Sequence, residues 1–303
     1  MKWNFREAYG MKEKRFDLFR NFRRKAPAEV VLSIFVSFVF FLVAASYIYI
    51  LVWQILSGFK THTEIVMDPF GLPEVWHWEH YIEVFQIFGV NGHGFFEMLF
   101  NSCYFSIVGV FLGMFSSCAF SYCCTKYKFP GSRLVYPIIL IMITLPLYGS
   151  SGAMYKLLHS LGLVDSYAQI ITAIAGFNMN FLYFSAYYRN LSLTYAEAAQ
   201  IDGANDFQIF FKVMFPLSKP IFGALFLMGW LGNWNSYESA LVYLPNHPTL
   251  PVGIYQFNTE MIYRARLDIL FAACFIVCLP ALILFIIFNK TITTNVSLGG
   301  IKG

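Results

Sequence analysis

The sequence predicts an all-α, polytopic membrane protein with six transmembrane helices and both termini in the cytoplasm, and three observations predict it. Of 303 residues, 58% are hydrophobic and 13% are charged, whereas soluble domains carry about 25% charged residues. Six segments are apolar over the length of about 20 residues that crosses a bilayer. Lys and Arg are concentrated in alternate connecting segments, which is typical of a polytopic protein with a defined orientation.

The six predicted spans share a continuous apolar character, and Glu238 is the only charged residue inside any of them. They are Val30–Leu56, Met98–Cys124, Leu134–Tyr155, Ser166–Tyr188, Pro220–Leu244 and Ile269–Phe288. The fourth is the most polar, with Gln169, Asn178 and Asn180. A re-entrant or interfacial helix is the alternative there; a span is favoured because these polar groups can face neighbouring helices.

The basic residues predict the orientation. With the N-terminus in the cytoplasm, the inside segments hold 17 of the 21 Lys and Arg residues and the outside segments hold 4. This asymmetry places residues 1–29 inside as a basic arm, 30–288 as the transmembrane domain, and 289–303 inside as a tail. The net charge of +4 therefore indicates topology and contact with anionic lipid, not nucleic-acid binding.

The first span is predicted to be a retained anchor in a bacterial plasma membrane. It is too long for the apolar region of a signal peptide, and no small-residue cleavage site follows it. The preceding arm carries Phe16, Phe19 and Phe22 among its basic residues, which is consistent either with a helix on the membrane surface or with a frayed tail. The outer segment 57–97 is acidic and aromatic and is expected to be ordered, and the histidines are expected to be solvated.

Several classes of function are disfavoured by what the sequence lacks. It contains no phosphate-binding loop, so the chain is expected to bind no cofactor and no ATP itself. Ion-coupled carriers keep ionisable residues in mid-membrane. Glu238 is the only charged residue inside a predicted span, so a carrier of this class is disfavoured. The six cysteines lie in apolar stretches and the histidines between spans, so neither a metal site nor a converging catalytic set is expected, and the chain is not predicted to be an enzyme.

The inside segment 189–219 is predicted to fold as two helices joined by a tight turn. Thr194 is an N-cap candidate with Glu197 as its capping-box partner, and Tyr195, Ala198 and Ala199 share a shallow helical face. Gly203 fits the left-handed position that ends a helix. In the second helix, capped by Asn205 with Gln208, an apolar stripe is expected at the spacing of one helical face, formed by Phe207, Phe210, Phe211 and Met214. Pro216 is expected to end that helix.

This segment resembles a known motif. Glu197, Ala198, Ala199, Gly203 and Pro216 match E-A-A-x3-G-x9-I-x-L-P, the EAA motif of the permease subunits of binding-protein-dependent ABC importers. Val213 and Phe215 stand where that pattern has Ile and Leu. The resemblance implies that this loop couples the membrane domain to an ATP-binding subunit, with the contact at Glu197, Ala198, Ala199, Asp202 and Gly203.

Further pieces along the chain resemble the carbohydrate-uptake branch, and within it the second membrane subunit, like that of the maltose transporter. They include Asn101-Ser102, Leu161-Gly162-Leu163 with Asp165, Trp234-Asn235 and Thr249-Leu250-Pro251-Val252-Gly253. The resemblance implies a type I importer fold, a second homologous permease subunit, a pair of ATP-binding subunits that use the ATP, and an extracytoplasmic solute-binding protein. That protein is expected to dock on segments 57–97 and 245–268, and a sugar or oligosaccharide is the expected cargo.

The most polar stretch within any predicted span is a candidate transport path for such a cargo. It contains Asn233, Trp234, Asn235, Tyr237 and Glu238, whose amides and aromatic faces suit a hydroxyl-rich substrate. Hydrogen bonding between helices is the alternative role for these groups. An importer of a non-sugar solute, an ion-coupled carrier acting alone and a structural scaffold remain as alternative functions.

Overall fold

A computed structural model describes residues 27–127, 129–145, 150–175, 177–192 and 194–296. The predicted arm, apart from residues 27–29, and the predicted tail beyond residue 296 lie outside these described residues. The chain divides into two compact units, residues 1–54 and 55–303. Helix α1 (Pro27–Gly58) begins in the first unit, and its last residues belong to the second. It has no charged residue after Glu29, as expected for a span.

The second unit is built from helices and one small hairpin. In chain order its elements are α2 (His62–Met67), α3 (Glu79–Ile87), β1 (Gly89–Val90), β2 (His93–Gly94), α4 (Phe95–Lys126), α5 (Ser132–Thr144), α6 (Ser150–Ser160), a 3₁₀ helix (Tyr167–Ala175), α7 (Met179–Asn190), α8 (Thr194–Ile201), α9 (Asp206–Trp234), α10 (Glu238–Tyr243), α11 (Leu250–Tyr263) and α12 (Leu267–Val296).

Four helices in the described part of the chain are long and apolar enough to cross a membrane. They are Ala28–Gly58, Phe95–Lys126, Asp206–Trp234 and Leu267–Phe288, and they contain or overlap the first, second, fifth and sixth predicted spans. The third and fourth predicted spans are not single helices. The third is divided between α5 and α6, and the fourth between the 3₁₀ helix and α7.

The fifth predicted span has the wrong bounds. Its helix, α9, begins at Asp206, well before Pro220, and ends at Trp234, so that residues 235–237 are not helical and Glu238 begins the separate helix α10. Pro220 is tolerated inside α9 because neighbouring groups in a membrane protein can satisfy the backbone carbonyl that a proline frees.

The two largest of the four buried clusters among the described residues join most of the long helices of the second unit. One joins α3, α4, α9, α11 and α12 through side chains such as Phe88, Met98 and Trp230. The other joins α4, α7 and α9 around Met114 and Tyr188. Within the second cluster, Cys118 Sγ lies 3.1 Å from the Tyr188 hydroxyl oxygen and 3.6 Å from the Ser218 hydroxyl oxygen, so a polar contact joins all three helices.

Segment 57–97, predicted to lie outside, departs from an all-helical fold because it contains a short β-hairpin. Asn91 and Gly92 take positive φ values of 51° and 88°, the conformation that an Asn-Gly turn adopts in a two-residue hairpin. The turn pairs Val90 with His93 and Gly89 with Gly94 in antiparallel register.

The expectation that the histidines are solvated is wrong for His80, which is 8% exposed. Its Nε2 lies 3.4 Å from Oδ2 of the buried Asp268 at the start of α12. Arg266 binds the same carboxylate and also forms a bidentate pair with Glu83. The hydrogen bond to Glu83 raises the pKa of Arg266 while desolvation opposes the rise, so the guanidinium stays charged and ties α3 to α12.

Candidate functional site

Helix α8 ends in a turn whose hydrogen bonds define a Schellman motif. The Ala204 N–H donates to Ala199 O and the Gly203 N–H donates to Gln200 O, each over 3.0 Å. Gly203 has a φ of +82°, and a β-carbon added there would meet nothing within 4 Å. The predicted turn is therefore confirmed, and the glycine is required by backbone conformation rather than by space.

The start of α8 differs from the prediction. Thr194 is the first helical residue and not the cap, and its N–H donates to Ser192 Oγ over 3.2 Å. The start of α9 is as predicted, because Asn205 and Gln208 form a reciprocal capping box. Two stable helix ends on either side of one glycine give a defined angle between the helices, and we call residues Thr194–Met214 the elbow.

The prediction that Pro216 ends the second helix is wrong. Helix α9 passes through it because the preceding turn, Phe210–Met214, is a π-helix. In this turn the Phe215 N–H donates to Phe210 O, five residues earlier. The hydrogen-bonding pattern has therefore already shifted from that of an α-helix before the chain reaches Pro216, whose ring nitrogen has no hydrogen to donate. The second half of the elbow is consequently continuous with one of the four helices in the described part of the chain that are long and apolar enough to cross a membrane, so a rigid displacement of the elbow would move that helix.

The apolar stripe of α9 is rotated relative to the prediction. Ile209, Phe210 and Met214 are buried in the cluster around Tyr188, whereas Phe207 is 78% exposed. Phe211 is also exposed. The inner face of the elbow is therefore Ile209, Phe210 and Met214, and an apolar residue remains on the outside.

The predicted contact residues of α8 lie mainly on its outer surface. Glu197, Ala198, Asp202 and Gly203 are exposed, whereas Ala199 is half-buried and packs towards the core with Ala196. The predicted shared face of Tyr195, Ala198 and Ala199 is thus split, with Ala199 turned inward. Ile201, 86% exposed, adds an apolar residue to the outer surface that the motif does not indicate.

Two hydrogen bonds attach the elbow region to the end of α4. The Tyr127 hydroxyl donates to Asp206 Oδ1 over 3.1 Å, and Lys126 Nζ donates to Leu191 O over 2.8 Å. Burial is the main cause that raises the pKa of the Tyr127 phenol, so the hydroxyl keeps its proton and remains a donor. These bonds join the base of the elbow to α4, a second helix that is long and apolar enough to cross a membrane.

The candidate transport path falls at the break between α9 and α10. Asn233 and Trp234 end α9, Asn235 and Tyr237 lie in the non-helical segment, and Glu238 begins α10. Of these, Trp234 is buried and Tyr237 is half-buried, while the other three are exposed. The predicted residues are therefore close in space, but they do not form one helical face.

Cavities open on both sides of this break. A cavity of 210 Å³ is lined by Asn233 and Trp234 together with residues of α4 and the 3₁₀ helix. A second, of 520 Å³, is lined by Asn235 and Tyr237 together with residues of α11 and α12. In the second, Tyr237 stacks on Tyr255 with ring centroids 4.7 Å apart.

The model of one protein family matches residues 109–297, a region that contains the elbow, the break and most of both cavities. That family is described as the inner membrane component of binding-protein-dependent transport systems. The chain belongs to this family. It is therefore a multi-pass membrane permease of a transport system, and its family is one of transporters.

Curated relatives are similar in sequence to this permease along most of its length. It is 27% identical over 285 residues to the arabinooligosaccharides transport system permease protein AraQ of Bacillus subtilis, covering 92% of this chain and 99% of the relative. It is 28% identical over 253 residues to the diacetylchitobiose uptake system permease protein NgcG of Streptomyces coelicolor, covering 82% of each. In B. subtilis, the galactooligosaccharides transport system permease protein GanQ is 24% identical over 260 residues.

A solved structure has the same fold. One chain of a bacterial ABC transporter involved in the import of the acidic polysaccharide alginate superposes on this permease with a TM-score of 0.74. The match covers 88% of this chain and 98% of that one at 20% identity. The predicted ABC permease fold is thereby confirmed.

Asn101 and Ser102 were predicted only as part of the resemblance to sugar-importer permeases. In the structure of this permease they form hydrogen bonds that position a neighbouring helix. Asn101 Nδ2 donates to Pro248 O over 3.0 Å, and its Oδ1 accepts from the Tyr167 hydroxyl over 2.8 Å. The Leu250 N–H donates to Ser102 Oγ over 2.7 Å. Together they hold the start of α11 against α4, beside the smaller cavity.

Asp165 is a further residue whose role the resemblance did not indicate. It has a φ of +57°, and its two carboxylate oxygens accept from the backbone N–H and the side-chain amide of Asn246, over 2.8 Å and 2.6 Å. Its own N–H donates to Tyr243 O over 2.8 Å. Asp165 thereby joins the segment before the 3₁₀ helix to the segment after α10. Its positive φ, which Asp adopts more readily than most residues, is the only local feature that marks this role.

Proposed function

We propose that this chain is one of two permease subunits that together enclose a transport path for a sugar or oligosaccharide. In this proposal it crosses the membrane six times, with both termini in the cytoplasm, and the divided segments α5–α6 and 3₁₀–α7 each complete one crossing. A second, homologous permease subunit forms the other half of the path. ATP is bound and hydrolysed by a separate pair of ATP-binding subunits.

The observation that carries this proposal is the elbow. It combines an exposed outer surface at Glu197, Ala198 and Ile201 with a buried inner face at Ile209 and Phe210. A docking element needs an accessible surface for its partner and a rigid attachment to the part that it moves. The Schellman turn, the capping box and the continuity of α9 supply that rigidity.

The mechanism follows from this connection. Closure of the ATP-binding subunits displaces the elbow, and α9 carries the displacement to its other end at Trp234, where the helix breaks beside the two cavities. Non-helical backbone within a membrane domain is tolerated where it lines a cavity or lies within protein. Movement of α9 therefore changes access to the path at its least regular point, and ATP hydrolysis resets it.

The cargo proposal rests on the site and on the relatives. The wall of the 210 Å³ cavity combines hydroxyls, amides and aromatic rings, which suit a polyhydroxylated substrate. The relatives' names specify arabinooligosaccharides, diacetylchitobiose and galactooligosaccharides. A neutral oligosaccharide is accordingly the cargo that we propose, delivered by an extracytoplasmic binding protein that docks on segments 57–97 and 245–268.

Uptake by cells in which this chain is deleted and then restored tests the proposal. The probes are radiolabelled arabinotriose, galactobiose and diacetylchitobiose. We expect the restored chain to support uptake of at least one probe, and uptake should persist when an uncoupler is added at constant ATP. Collapse with the uncoupler at constant ATP would indicate an ion-coupled carrier, and failure with every probe would contradict the sugar cargo.

The coupling role is tested by the double variant Glu197→Ala with Gly203→Asp, which we expect to insert in the membrane but to lose the ATP-binding subunit on purification. Gly162→Asp is a matched control, because Gly162 also has a positive φ, +66°, and open space around its β-carbon position, but lies outside the elbow. Normal association of the ATP-binding subunit with the double variant would exclude the elbow as the coupling contact. Normal transport without that contact would favour a scaffold role for this segment.

A further inference from the structure

Three irregular backbone segments meet around the 210 Å³ cavity. They are the π-helical turn Tyr104–Val108 within α4, the 3₁₀ helix Tyr167–Ala175, and the break at residues 235–237. Each contributes residues to the cavity wall. Irregular turns within membrane helices are costly and frequently mark functional sites, so their convergence indicates a binding cavity rather than a packing defect.

The hydroxyl of Thr249 is the second, independent observation. Thr249 precedes α11 at the N-cap position, where a threonine normally accepts from an N–H of the first turn, but here it makes no side-chain cap hydrogen bond. The residue is 6% exposed, its Oγ1 is buried without a hydrogen-bond partner among the described residues, and it lines this cavity. A buried hydroxyl of this kind is normally satisfied, and a ligand hydroxyl in the cavity would satisfy it.

The rest of the wall defines the chemistry of that ligand. Gln169 and Asn233 bring side-chain amides that hydrogen-bond to no other described residue, and each amide has two donors and an acceptor. Trp234 and Phe105 supply aromatic surface. Among the described residues lining the cavity, none is Asp, Glu, Lys, Arg or His. A carboxylate placed here would lose hydration without gaining a charged partner, which is strongly unfavourable.

The size of the cavity limits what fits. Its volume of 210 Å³ is below the roughly 300–1,000 Å³ of sites for drug-sized ligands, so it accommodates a single ring and not a whole oligosaccharide. Gly109 borders the space, and a β-carbon there would meet only Ile170 Cγ2, at 3.9 Å. A larger side chain at this position would enter the cavity without first displacing the backbone.

We propose that this cavity is a subsite for one uncharged sugar ring, held by Thr249, Gln169 and Asn233, and that it makes the permease select neutral over acidic oligosaccharides. The inference rests on the proposed sugar cargo and assigns to this chain a direct part in recognising it. The remaining sugar units extend out of the cavity mouth towards the path between the two permease subunits.

Photolabelling tests the subsite in membranes that contain the full-length chain with its native partners. The probe is galactobiose carrying a small diazirine. We expect covalent labelling within residues 102–109, 169–173 or 233–249, and at least tenfold weaker competition by digalacturonate than by unlabelled galactobiose. Labelling elsewhere on the chain, or equal competition by the acidic sugar, would overturn the inference.

Matched substitutions separate binding from folding. Thr249→Val should lower labelling about tenfold, and Thr249→Ser should retain it, because only serine keeps the hydroxyl. Gly109→Leu should abolish labelling by filling the space. The controls are Thr144→Val, whose hydroxyl already donates to Leu140 O, and Gly232→Leu, whose β-carbon position is open and outside the cavity; both should label normally.

Failure of the inference is distinguishable from failure of the sugar proposal. If neutral sugars are taken up by the restored wild-type chain but Thr249→Val and Gly109→Leu label and transport like their controls, the subsite is wrong and the sugar proposal stands. If the wild-type chain neither takes up nor is labelled by any neutral probe while its complex with the ATP-binding subunit is intact, both fail.

Discussion

Gly203 offers a test in which backbone conformation alone is changed. Its φ of +82° lies in the left-handed region, and a β-carbon added to it would have no atom within 4 Å, so the cost of substitution comes from the backbone and not from a clash. That conformation costs an ordinary L-residue about 1–2 kcal/mol, whereas Asn adopts it more readily. We therefore expect Gly203→Ala to lower the population of the intact turn about 5–30-fold, and Gly203→Asn to lower it much less.

The assay has two readouts on the same purified complex. Amide hydrogen exchange at Ala204, whose N–H bonds Ala199 O across the turn, reports the population of the turn, and retention of the ATP-binding subunit reports coupling. Exchange should accelerate in the order wild type, Asn, Ala, and retention should fall in the same order. Equal exchange in the Ala and Asn variants would refute the conformational argument, and faster exchange with unchanged retention would refute the coupling role.

Three further substitutions test the attachment and packing of the fold. Tyr127→Phe removes the hydrogen bond to Asp206, worth about 0.5–1.5 kcal/mol, and should accelerate exchange at the start of α9 several-fold. Gly253→Ala should cost about 1–3 kcal/mol and lower the thermal midpoint, because a β-carbon there would lie 2.9 Å from the side chains that pack on α11. Arg266→Met should also lower the thermal midpoint, because the buried Asp268 carboxylate loses a charged hydrogen bond worth about 1.5–3 kcal/mol.

Each of these has a control in the same chain. Tyr183→Phe alters an exposed tyrosine that has no hydrogen bond to a described residue, and Gly232→Ala alters a helical glycine with open space around it. Arg264→Met removes an exposed ion pair with Glu260, which contributes little. If the control changes as much as its partner variant, in hydrogen exchange for Tyr127→Phe or in thermal midpoint for the other two, the structural argument at that site is contradicted.

The sequence predicted the long helices because membrane insertion depends on apolar length, which is a local property. It also predicted the turn at Gly203 and the cap at Asn205, since each depends on a few neighbouring residues. Pro216 was misread because its effect depends on the π-helical turn before it. The end of α9 at Trp234 was missed because the polar residues that follow resemble a polar helical face as much as a break.

The orientation of side chains was less predictable. The spacing of Phe207 and Phe210 fits one helical face, but the π-helical turn and the neighbouring α4 decide that only Phe210 is buried. His80 is buried because Asp268, 188 positions later, lies beside it, and no pattern in the local sequence indicates such a partner. The cavity wall combines three distant segments in the same way, so its chemistry emerges only from the fold.

Site-specific photo-crosslinking tests the coupling of this chain to a separate ATPase most directly. A photoreactive amino acid replaces Ile201 on the elbow or, as a control of equal exposure, Tyr263 at the end of α11; both are 86% exposed. We predict that Ile201 crosslinks to an ATP-binding subunit in native membranes and that Tyr263 does not. An Ile201 adduct that contains no ATP-binding subunit, from complexes that transport normally, would contradict the account.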